Sequence, residues 1–447
     1  NMITPKSTLT RSLLSEEDIF KCVGNSIRSD DGNLKYLPPL MRSKIVDGEY
    51  IAPYNVWTKK VGVIKKSVDI RDCQLVANTL TRYIINGLHE RGIKSLKPFK
   101  LSVAQNGFPY NFYCRAMKNN TSGGVLFPGK KLKYCELTPL DFKEDSVMPL
   151  YDVKEQVCEI ISAYRNFENG HSLIGCQLKD EPRSYSKVQS GKTRVFAMSS
   201  YDNVLVNRMY LMPFYSLMVE YRDLFCTKVG INMHGEEADE MYKELKSFSP
   251  CFLEGDYGGY DTSMPVEVGL IANTVVYNVL KHFSYNKESL QIVRGLLSDN
   301  LYPTLMMEGN IFIAPGFQPS GKYATAEDNS LRGLILLLLG FNELVCKHDS
   351  SIVLSDFWKF VLPYTYGDDL VCSVKSKVNC VFNNISYGLY VKNKLGMKFT
   401  DANKKEHKNI YTKLEDISFL KRSFRYHAEL KRVVACLEKD SLTKSIA

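Results

Sequence analysis

The sequence of 447 residues lacks the features that mark secreted, zinc-stapled or membrane-spanning proteins. Its 12 cysteines are scattered, and the closest two, Cys372 and Cys380, are eight residues apart, so no CxxC pair exists for zinc or redox chemistry. The longest apolar run, Leu334–Phe341, is eight residues long, whereas about 20 are needed to cross a bilayer. Residues 1–12 contain no apolar stretch followed by a cleavage site. We therefore expect reduced thiols, no transmembrane helix and no secretory signal.

Several common catalytic patterns are also missing. None of the seven histidines belongs to a ligand-like pair such as HExxH. Ser320 lies in Gln-Pro-Ser-Gly rather than in the GxSxG turn of many hydrolases. The triplet Gly191–Thr193 is similar to the end of a P-loop, but Ser186 stands where the first glycine of that loop belongs. The sequence thus gives no support for histidine catalysis, serine hydrolysis or a P-loop ATPase.

The composition is that of a folded protein with a basic excess. Hydrophobic residues make up 44% and charged residues 24%, which is close to average globular usage. The 58 Lys and Arg against 49 Asp and Glu give a net charge of +9, which suits a polyanionic partner but is equally typical of a solvated surface. No repeat or low-complexity linker divides the chain, so we expect a large protein with interleaved domains.

Hydrophobic periodicity becomes clear after about residue 200. It predicts helices at Met209–Phe225, Val268–Lys281 and Leu331–Val345. It predicts strands at Phe360–Tyr366 and Leu370–Val374. The preceding residues are rich in turn formers and indicate mixed, loop-rich structure. Because strands and helices mix without strict alternation, the sequence predicts the α+β class.

Two acidic segments stand out. Asp256 ends an apolar strand pattern and is followed by a glycine-rich turn and by Asp261. Asp368 and Asp369 follow Gly367 between two strand patterns, which predicts a hairpin with carboxylates at its tip. Adjacent carboxylates repel each other and are tolerated mainly where a divalent cation neutralises them, although aspartate and glycine are also ordinary turn residues.

Phosphate chemistry adds a geometric constraint. Two cations about 3.5–4 Å apart can hold the attacking and leaving oxygens of an in-line displacement, and this requires carboxylates from more than one strand. Asp256 and Asp368 on neighbouring antiparallel strands would supply them, with Asp369 as an accessory ligand. Oxygen ligands suit two Mg²⁺ ions, or Mn²⁺. We therefore predict that Asp256, Asp368 and Asp369 are catalytic and bind metal.

Three segments resemble, in order and spacing, the palm motifs of picornavirus-like RNA-dependent RNA polymerases. They are Asp256-x4-Asp261, Pro319-Ser320-Gly321-x3-Thr325-x3-Asn329-Ser330 and Tyr366–Asp369. Three more segments resemble the basic fingers motif and the last two palm motifs of that family: residues 179–194, Gly396–Lys404 and Phe419–Phe424. Together the six motifs cover roughly residues 179–425.

The resemblance implies a right-hand fold of fingers, palm and thumb with an antiparallel-sheet palm. The expected divisions are fingers at residues 1–210 and 268–295, palm at 211–267 and 296–426, and the start of a thumb at 427–447. A family thumb is several times longer than this last segment, so the thumb is expected to be truncated.

The resemblance also assigns nucleotide-binding residues. Asp261 and Asn329 match the readers of the ribose 2′-hydroxyl, and Ser320 and Gly321 match the start of a flexible loop beside the nascent base pair. Thr325 belongs to the same motif, and helix packing or capping is the alternative for Thr325 and Asn329. Five basic residues match the group that neutralises the triphosphate, with a solvated basic loop as the alternative: Lys179, Arg183, Lys187, Lys192 and Arg194.

Other motif positions concern the leaving group and the primer. Lys404 matches the lysine proposed to protonate pyrophosphate, Lys405 is adjacent and could substitute, and a solvent-facing lysine is the alternative. Lys421 and Arg422 match residues that grip the primer backbone. One departure is Ala324, since the family usually has glycine there, and we expect it to stiffen the loop slightly.

The resemblance therefore implies a viral RNA-dependent RNA polymerase that transfers nucleotides from ribonucleoside triphosphates to an RNA 3′-hydroxyl and releases pyrophosphate. Expected partners are template and primer RNA and a genome-linked protein primer. Release from a polyprotein and a location at membrane-associated replication complexes in the host cytoplasm are also implied. Two alternatives remain open: a reverse transcriptase and an inactive RNA-binding replicase module.

Overall fold

The computed structural model describes Glu17, Arg28 and residues 34–46, 48–141, 143–170, 172–401 and 404–446. The described helices are α1 Pro53–Val61, α2 Ile70–Glu90, α3 Leu101–Asn106, α4 Tyr151–Arg165, α5 Tyr185–Gln189, α6 Tyr201–Glu220, α7 Glu237–Phe248, α8 Tyr260–Ser263, α9 Val266–His282, α10 Lys287–Leu301, α11 Thr325–Phe341, α12 Phe357–Phe360, α13 Asn384–Tyr390 and α14 Lys439–Ile446. The described strands are β1 Tyr36–Leu37, β2 Lys44–Val46, β3 Glu49–Ile51, β4 Cys135–Leu137, β5 Val147–Pro149, β6 Leu173–Leu178, β7 Arg183–Ser184, β8 Val195–Ser199, β9 Phe252–Gly258, β10 Thr304–Met307, β11 Asn310–Ile313, β12 Val361–Tyr366, β13 Asp369–Val374, β14 Lys398–Thr400, β15 Ser418–Phe419, β16 Arg422–His427 and β17 Arg432–Leu437.

Three sheets of three or four strands contain 11 of these 17 strands, and the other six form two-stranded sheets. The central sheet has the order β12-β13-β9-β14, and all of its neighbouring strands are antiparallel. A second sheet, β11-β10-β6-β8, contains one parallel pair, β10 with β6. A third, β15-β16-β17, is antiparallel. The mixture of helices with mainly antiparallel strands confirms the predicted α+β class.

The central sheet is buried on both faces because its strands alternate apolar side chains between two cores. On β13, Leu370 and Cys372 belong to the largest core, which contains residues from helices α2, α6, α9 and α11. Between them in sequence, Val371 faces a second core, which joins α7 to the third sheet through residues such as Leu245 and Phe424. The sheet is thus held rigidly, and its polar groups are concentrated where β9 and the β12–β13 hairpin end.

The predicted elements agree with the structure at the hairpin and less well at one long helix. Strands β12 and β13 match their predicted ranges to within one residue, and the helix predicted at Val268–Lys281 lies inside α9. The prediction of a helix at Met209–Phe225 is wrong at both ends, because α6 spans Tyr201–Glu220. Nearly all of α6 is buried, so it has no polar face to define its period, and even Asn203 and Asn207 lie inside the protein.

Among the described residues, one helical stretch, Thr325–Cys346, has the length and apolar composition that a membrane span requires. Its most apolar 18-residue window is 78% buried inside the protein. A helix that lies in the middle of a core meets the same criteria, so this stretch is weak support for a membrane span. It consists of α11 and a following π-helical turn, Asn342–Cys346.

Helix α11 begins directly after a residue with a left-handed backbone. Ala324 has φ of 56° and ψ of 34°, a conformation that costs a residue with a Cβ roughly 1–2 kcal/mol and that glycine adopts freely. The departure from the family's usual glycine therefore places a side chain at a strained position.

We expect Ala324→Gly to raise the free energy of unfolding by about 1 kcal/mol, because glycine removes this strain. Ala326→Gly, inside α11, is the matched control and should lower it by about 1 kcal/mol through reduced helix propensity. Urea denaturation followed by circular dichroism measures both. Changes of the same sign in the two variants would contradict the argument.

Candidate active site

Strand pairing brings the predicted metal-binding aspartates together. Asp256 on β9 lies directly opposite Asp369 on β13, and Asp368 sits with Gly367 in the two-residue turn of the β12–β13 hairpin. Gly367 has φ of 64°, a value that this turn requires and glycine provides. The predicted hairpin with an acidic tip is therefore present. The residue in register with Asp256 is Asp369 rather than Asp368, because the turn takes up Asp368.

The hairpin tip is fixed by a helix behind it. The backbone N–H of Gly367 donates to Ser330 Oγ at 2.9 Å, and that hydroxyl donates to the carbonyl of Ala326 at 2.8 Å. Ser330 is completely buried in α11. Ser330 belongs to one of the sequence motifs, but the sequence does not predict this role, since a serine inside an apolar helix gives no signal of its partner.

The clustered carboxylates hold more negative charge than their surroundings compensate. Burial, together with the charges of Asp368 and Asp256, raises the pKa of Asp369 to about 7. Burial also raises the pKa of Asp256, against the opposing effect of Lys404, whose Nζ lies 3.6 Å from Asp256 Oδ2. A bound cation would relieve this repulsion.

The donor set fits a hard divalent cation. Carboxylate oxygens of the kind that Asp256, Asp368 and Asp369 supply are the ligands preferred by Mg²⁺ and Mn²⁺. Within the part of the chain that the structure describes, no three His, Cys, Asp or Glu side chains form a ready-made metal-binding group. The backbone thus brings the three aspartates to one place, while their side chains are not closed around a common point.

A fourth carboxylate, Glu254, was missed by the sequence analysis. It lies two residues before Asp256 and so on the same face of β9. It is only 3% exposed, and burial raises its pKa to about 7. The hydroxyl of Thr412 donates to its Oε1 at 3.3 Å. A glutamate within an otherwise apolar strand pattern is the signal that would have found it.

Asp261 and Asn329, the predicted readers of a ribose hydroxyl, lie on connected elements. Tyr260, next to Asp261 in α8, donates its hydroxyl to the backbone carbonyl of Asn329 at 2.7 Å. Burial raises the pKa of Asp261, while Arg194 opposes the shift. Asn329 Oδ1 is buried and has no hydrogen-bond partner among the described residues. An unsatisfied buried acceptor is costly, so this oxygen fits a site that a ligand hydroxyl completes.

The loop that carries Ser320 and Gly321 is docked onto strand β8. The N–H of Gly321 donates to the carbonyl of Ala197 at 2.7 Å, and the N–H of Ala197 donates to Ser320 Oγ at 3.3 Å. A Cβ on Gly321 would lie 2.7 Å from the Ala197 carbonyl oxygen. The φ of Gly321 is not left-handed, so glycine is needed here for the close approach of the two backbones.

Thr325 holds the other end of this loop. Its hydroxyl lies 3.1 Å from the carbonyl oxygen of Pro319 and 2.8 Å from that of Lys322. The described contacts of the Thr325 hydroxyl are thus with the loop before α11, and its role in nucleotide binding stays a prediction.

A buried ionic network, also missed by the sequence analysis, ties the loop to α11. Asp328 Oδ2 accepts from Gln318 at 2.6 Å and Lys322 at 3.0 Å and pairs with Arg332 at 3.2 Å. Its Oδ1 accepts from the hydroxyl of Tyr215 on α6 at 3.1 Å. Burial alone would raise the pKa of Asp328, but Arg332 and Lys322 hold it well below its ordinary value. The sequence signal for this network was the pair Asp328 and Arg332, an acid and a base four residues apart in an apolar helix.

The basic motif is organised by one glutamate, Glu181. Its carboxylate pairs with Lys179 at 2.9 Å, Arg183 at 3.6 Å and Arg194 at 3.3 Å. Burial lowers the pKa of Lys187 on α5, and the charges of Arg183 and Lys404 lower it further.

Lys192 is exposed, and its carbonyl accepts from Arg183 at 3.1 Å. Lys60 of α1, which no motif predicts, belongs to the same surroundings. Burial lowers its pKa, and the charges of Lys192 and Arg183 lower it further. The structure thus places a set of cations beside Asp261 and the carboxylate cluster.

The two predicted primer-binding residues have different surroundings. Lys421, with φ of 56°, lies in the turn between β15 and β16, and its charge lowers the pKa of both Asp256 and Asp369 against the effect of their burial. Arg422 donates to the carbonyl of Ala435 at 2.9 Å and contacts His234 at 3.0 Å. Lys421 therefore belongs to the carboxylate site, whereas Arg422 stabilises the third sheet.

Asp328→Asn should lower the free energy of unfolding by about 3–5 kcal/mol at pH 7, since it leaves two buried cations without their counter-ion. Folding depresses the pKa of Asp328, so its contribution is complete above about pH 4 and decreases as the pH falls below that value. The difference between the two proteins in urea denaturation should accordingly be constant from about pH 5 to 8 and shrink in more acidic solution.

The matched control for this experiment is Asp145→Asn. Asp145 is 83% exposed and lies 3.9 Å from Lys143, so its loss should change stability by less than about 0.5 kcal/mol. An Asp328→Asn protein as stable as this control would show that the buried network does not support the fold.

Comparison with known proteins adds independent findings. A family model described as viral RNA-dependent RNA polymerase matches residues 88–447. The replicase polyprotein of Drosophila C virus (strain EB) is 28% identical over 429 residues, covering 90% of this chain and 24% of the polyprotein. That of acute bee paralysis virus (strain Rothamsted) is 26% identical over 425 residues, covering 92% and 22%. The chain thus spans about a quarter of the length of these curated relatives.

A solved structure shows a similar fold. The Sicinivirus 3Dpol RNA dependent RNA polymerase superimposes with a TM-score of 0.76 at 15% sequence identity, over 92% of this chain and 80% of that one. The predicted right-hand fold is thereby confirmed.

Proposed function

The chain belongs to the viral RNA-dependent RNA polymerase family, and from this premise we propose that it copies an RNA template by adding ribonucleotides to an RNA 3′-hydroxyl with release of pyrophosphate. The observation that carries the proposal is the register of Asp256 with Asp369 beside Asp368 at the hairpin tip. These three carboxylates would hold two Mg²⁺ or Mn²⁺ ions. Such ions, when bound, favour the attack of the 3′-hydroxyl and neutralise charge on the triphosphate.

The chain's own residues would select the sugar. A ribose 2′-hydroxyl can donate to the unsatisfied Asn329 Oδ1 and interact with the Asp261 carboxylate. A deoxyribose would leave the buried Asn329 Oδ1 without a partner, which is the arrangement that discriminates most strongly between substrates.

The cations around the site would bind the triphosphate. Arg183 and Arg194, held in place by Glu181, present planar groups that match phosphate oxygens, and Lys187 lies close to them. Lys404 lies against Asp256 at 3.6 Å and would donate a proton to the leaving pyrophosphate.

The wider context is part of the proposal. Template and primer RNA would be gripped through their backbones, with Lys421 close to the reacting end. The division into fingers, palm and thumb, a genome-linked protein primer and a location at cytoplasmic replication membranes remain predictions from the family resemblance. Origin in a polyprotein agrees with the replicase polyproteins that the chain matches.

Neither alternative function is favoured. A reverse transcriptase is expected to carry a bulky side chain facing the sugar where this chain has Asp261. An inactive RNA-binding module would gain nothing from an acidic hairpin tip where burial, together with the charges of Asp368 and Asp256, raises the pKa of Asp369 to about 7.

Asp256→Asn and Asp368→Asn should each reduce nucleotide incorporation by about 10³-fold or more, because each removes a metal ligand worth several kcal/mol in the transition state. Primer extension on a homopolymer template with Mg²⁺ measures this, and chelation of the metal should abolish the wild-type signal. Asp145→Asn serves again as the exposed control. Wild-type product from either site variant would refute the catalytic assignment.

Asp261→Ala and Asn329→Ala should each reduce the preference for ribonucleotides over deoxyribonucleotides by at least about tenfold. The ratio of kcat/KM for the two substrates on one RNA template is the quantity to compare, because it separates selectivity from overall damage. Asn120→Ala, at an exposed position, should leave the ratio unchanged. An unaltered ratio in both site variants would remove the hydroxyl-reading role.

A further inference from the structure

The net charge of the protein is confined to one segment. Residues 91–135 contain nine Lys and Arg and no Asp or Glu, while the rest of the chain has 49 basic and 49 acidic residues. Seven of the nine are exposed, and none of these seven forms an ion pair with a carboxylate in the described part of the chain: Lys94, Lys97, Lys100, Arg115, Lys118, Lys130 and Lys133. Such a segment is an electrostatic footprint for a polyanion.

The same segment exposes a cluster of aromatic rings, which we call the aromatic loop: Phe108, Tyr110, Phe112 and Tyr113. Tyr110 is 83% and Phe112 75% exposed, and the other two rings are more than one-third exposed. Rings so poorly covered contribute little to folding, and grouped exposed apolar side chains mark interaction sites. None of the motifs described above includes this loop.

The base of the aromatic loop is rigid. Gly107 has φ of 76°, and a Cβ there would lie 2.4 Å from the carbonyl oxygen of Cys114, so only glycine fits. The N–H of Phe108 donates to the same carbonyl at 2.8 Å. From beneath, the buried guanidinium of Arg208 donates to the carbonyls of Ala104 and Arg115. The rings are therefore presented on a preorganised support, which lowers the entropy cost of binding.

The rings and the charges meet at a cavity. A pocket of about 310 Å³ is lined by Phe108, Phe112, Arg115 and Lys143. The Arg115 guanidinium lies over the Phe112 ring at 4.9 Å from its centroid, and Phe108 stacks on Phe99 at 6.4 Å. Aromatic faces combined with arginine and lysine are the combination that holds single-stranded nucleic acid, since bases stack and phosphates pair with the cations.

We propose that the aromatic loop is a stacking platform for single-stranded RNA, with bases on Tyr110 and Phe112 and phosphates on the surrounding cations. The charge favours RNA over a protein partner, because nine basic residues without one acid suit a uniform polyanion. The platform binds RNA of any sequence. This inference depends on the proposed function in one respect: the polymerase function identifies the bound RNA as the unpaired template.

The test is binding of a fluorescent oligouridylate of about 20 nucleotides by the full chain, measured by anisotropy. Tyr110→Leu with Phe112→Leu keeps apolar bulk but removes the ring faces, and it should weaken binding by about tenfold or more. Tyr110→Phe with Phe112→Tyr keeps the faces and should bind like the wild type. Tyr151→Leu is the matched control, because Tyr151 is an aromatic residue that is 71% exposed outside the segment. Thermal unfolding checks that all variants are folded.

The outcomes separate this inference from the proposed function. Loss of RNA binding in the leucine pair, with binding kept in the swapped pair, supports the platform even if the wild type fails to extend a primer. Wild-type RNA binding by the leucine pair overturns the platform and leaves the loop to a protein partner, whether or not primers are extended. Equal loss in both pairs shows that retained ring faces do not preserve binding, and it also overturns the platform.

Discussion

The buried carboxylate of Asp328 is the contact on which the geometry of the site depends. It bonds to the loop through Gln318 and Lys322, to its own helix through Arg332 and to α6 through Tyr215. The next two residues of α11 are Asn329, with its unsatisfied oxygen, and Ser330, which holds the hairpin tip. One helical turn thus sets the position of the loop, of Asn329 Oδ1 and of the acidic turn. A shift of α11 would disturb all three together.

The carboxylate cluster differs from Asp328 in that its negative charge is not balanced by nearby cations. Two cations, Lys322 and Arg332, stabilise the buried carboxylate of Asp328. The half-buried Asp256 and Asp369 and the buried Glu254 have less positive charge beside them. Burial is the main cause of the raised pKa values of these three groups, and the charges of neighbouring carboxylates add to it. A site of this kind is completed by its ligands, because metal ions supply the charge that the fold withholds, and the Lys404 contact compensates only in part.

Much of this could be predicted from local sequence, and the remainder depends on contacts that are distant along the chain. Turn chemistry and alternating strand patterns predicted the hairpin, and motif spacing predicted that Asp256 lies near it. The register that puts Asp369 rather than Asp368 opposite Asp256 depends on the length of the turn, which strand patterns do not define. The roles of Ser330 and Glu181 depend on partners that only folding brings near. Helix α6 was misplaced because a helix buried on all sides has no polar period.

The concentration of the whole net charge in residues 91–135 has a consequence for how the protein meets a nucleic acid. Since positive and negative side chains are equal in number elsewhere, the excess positive charge lies on the side of the molecule that carries this segment. An approaching polyanion would exert a torque that turns this side towards it before any contact forms, and the torque weakens as added salt shortens the Debye length. Encounter would therefore be orientationally biased, so that the first collision already presents the aromatic rings to the strand.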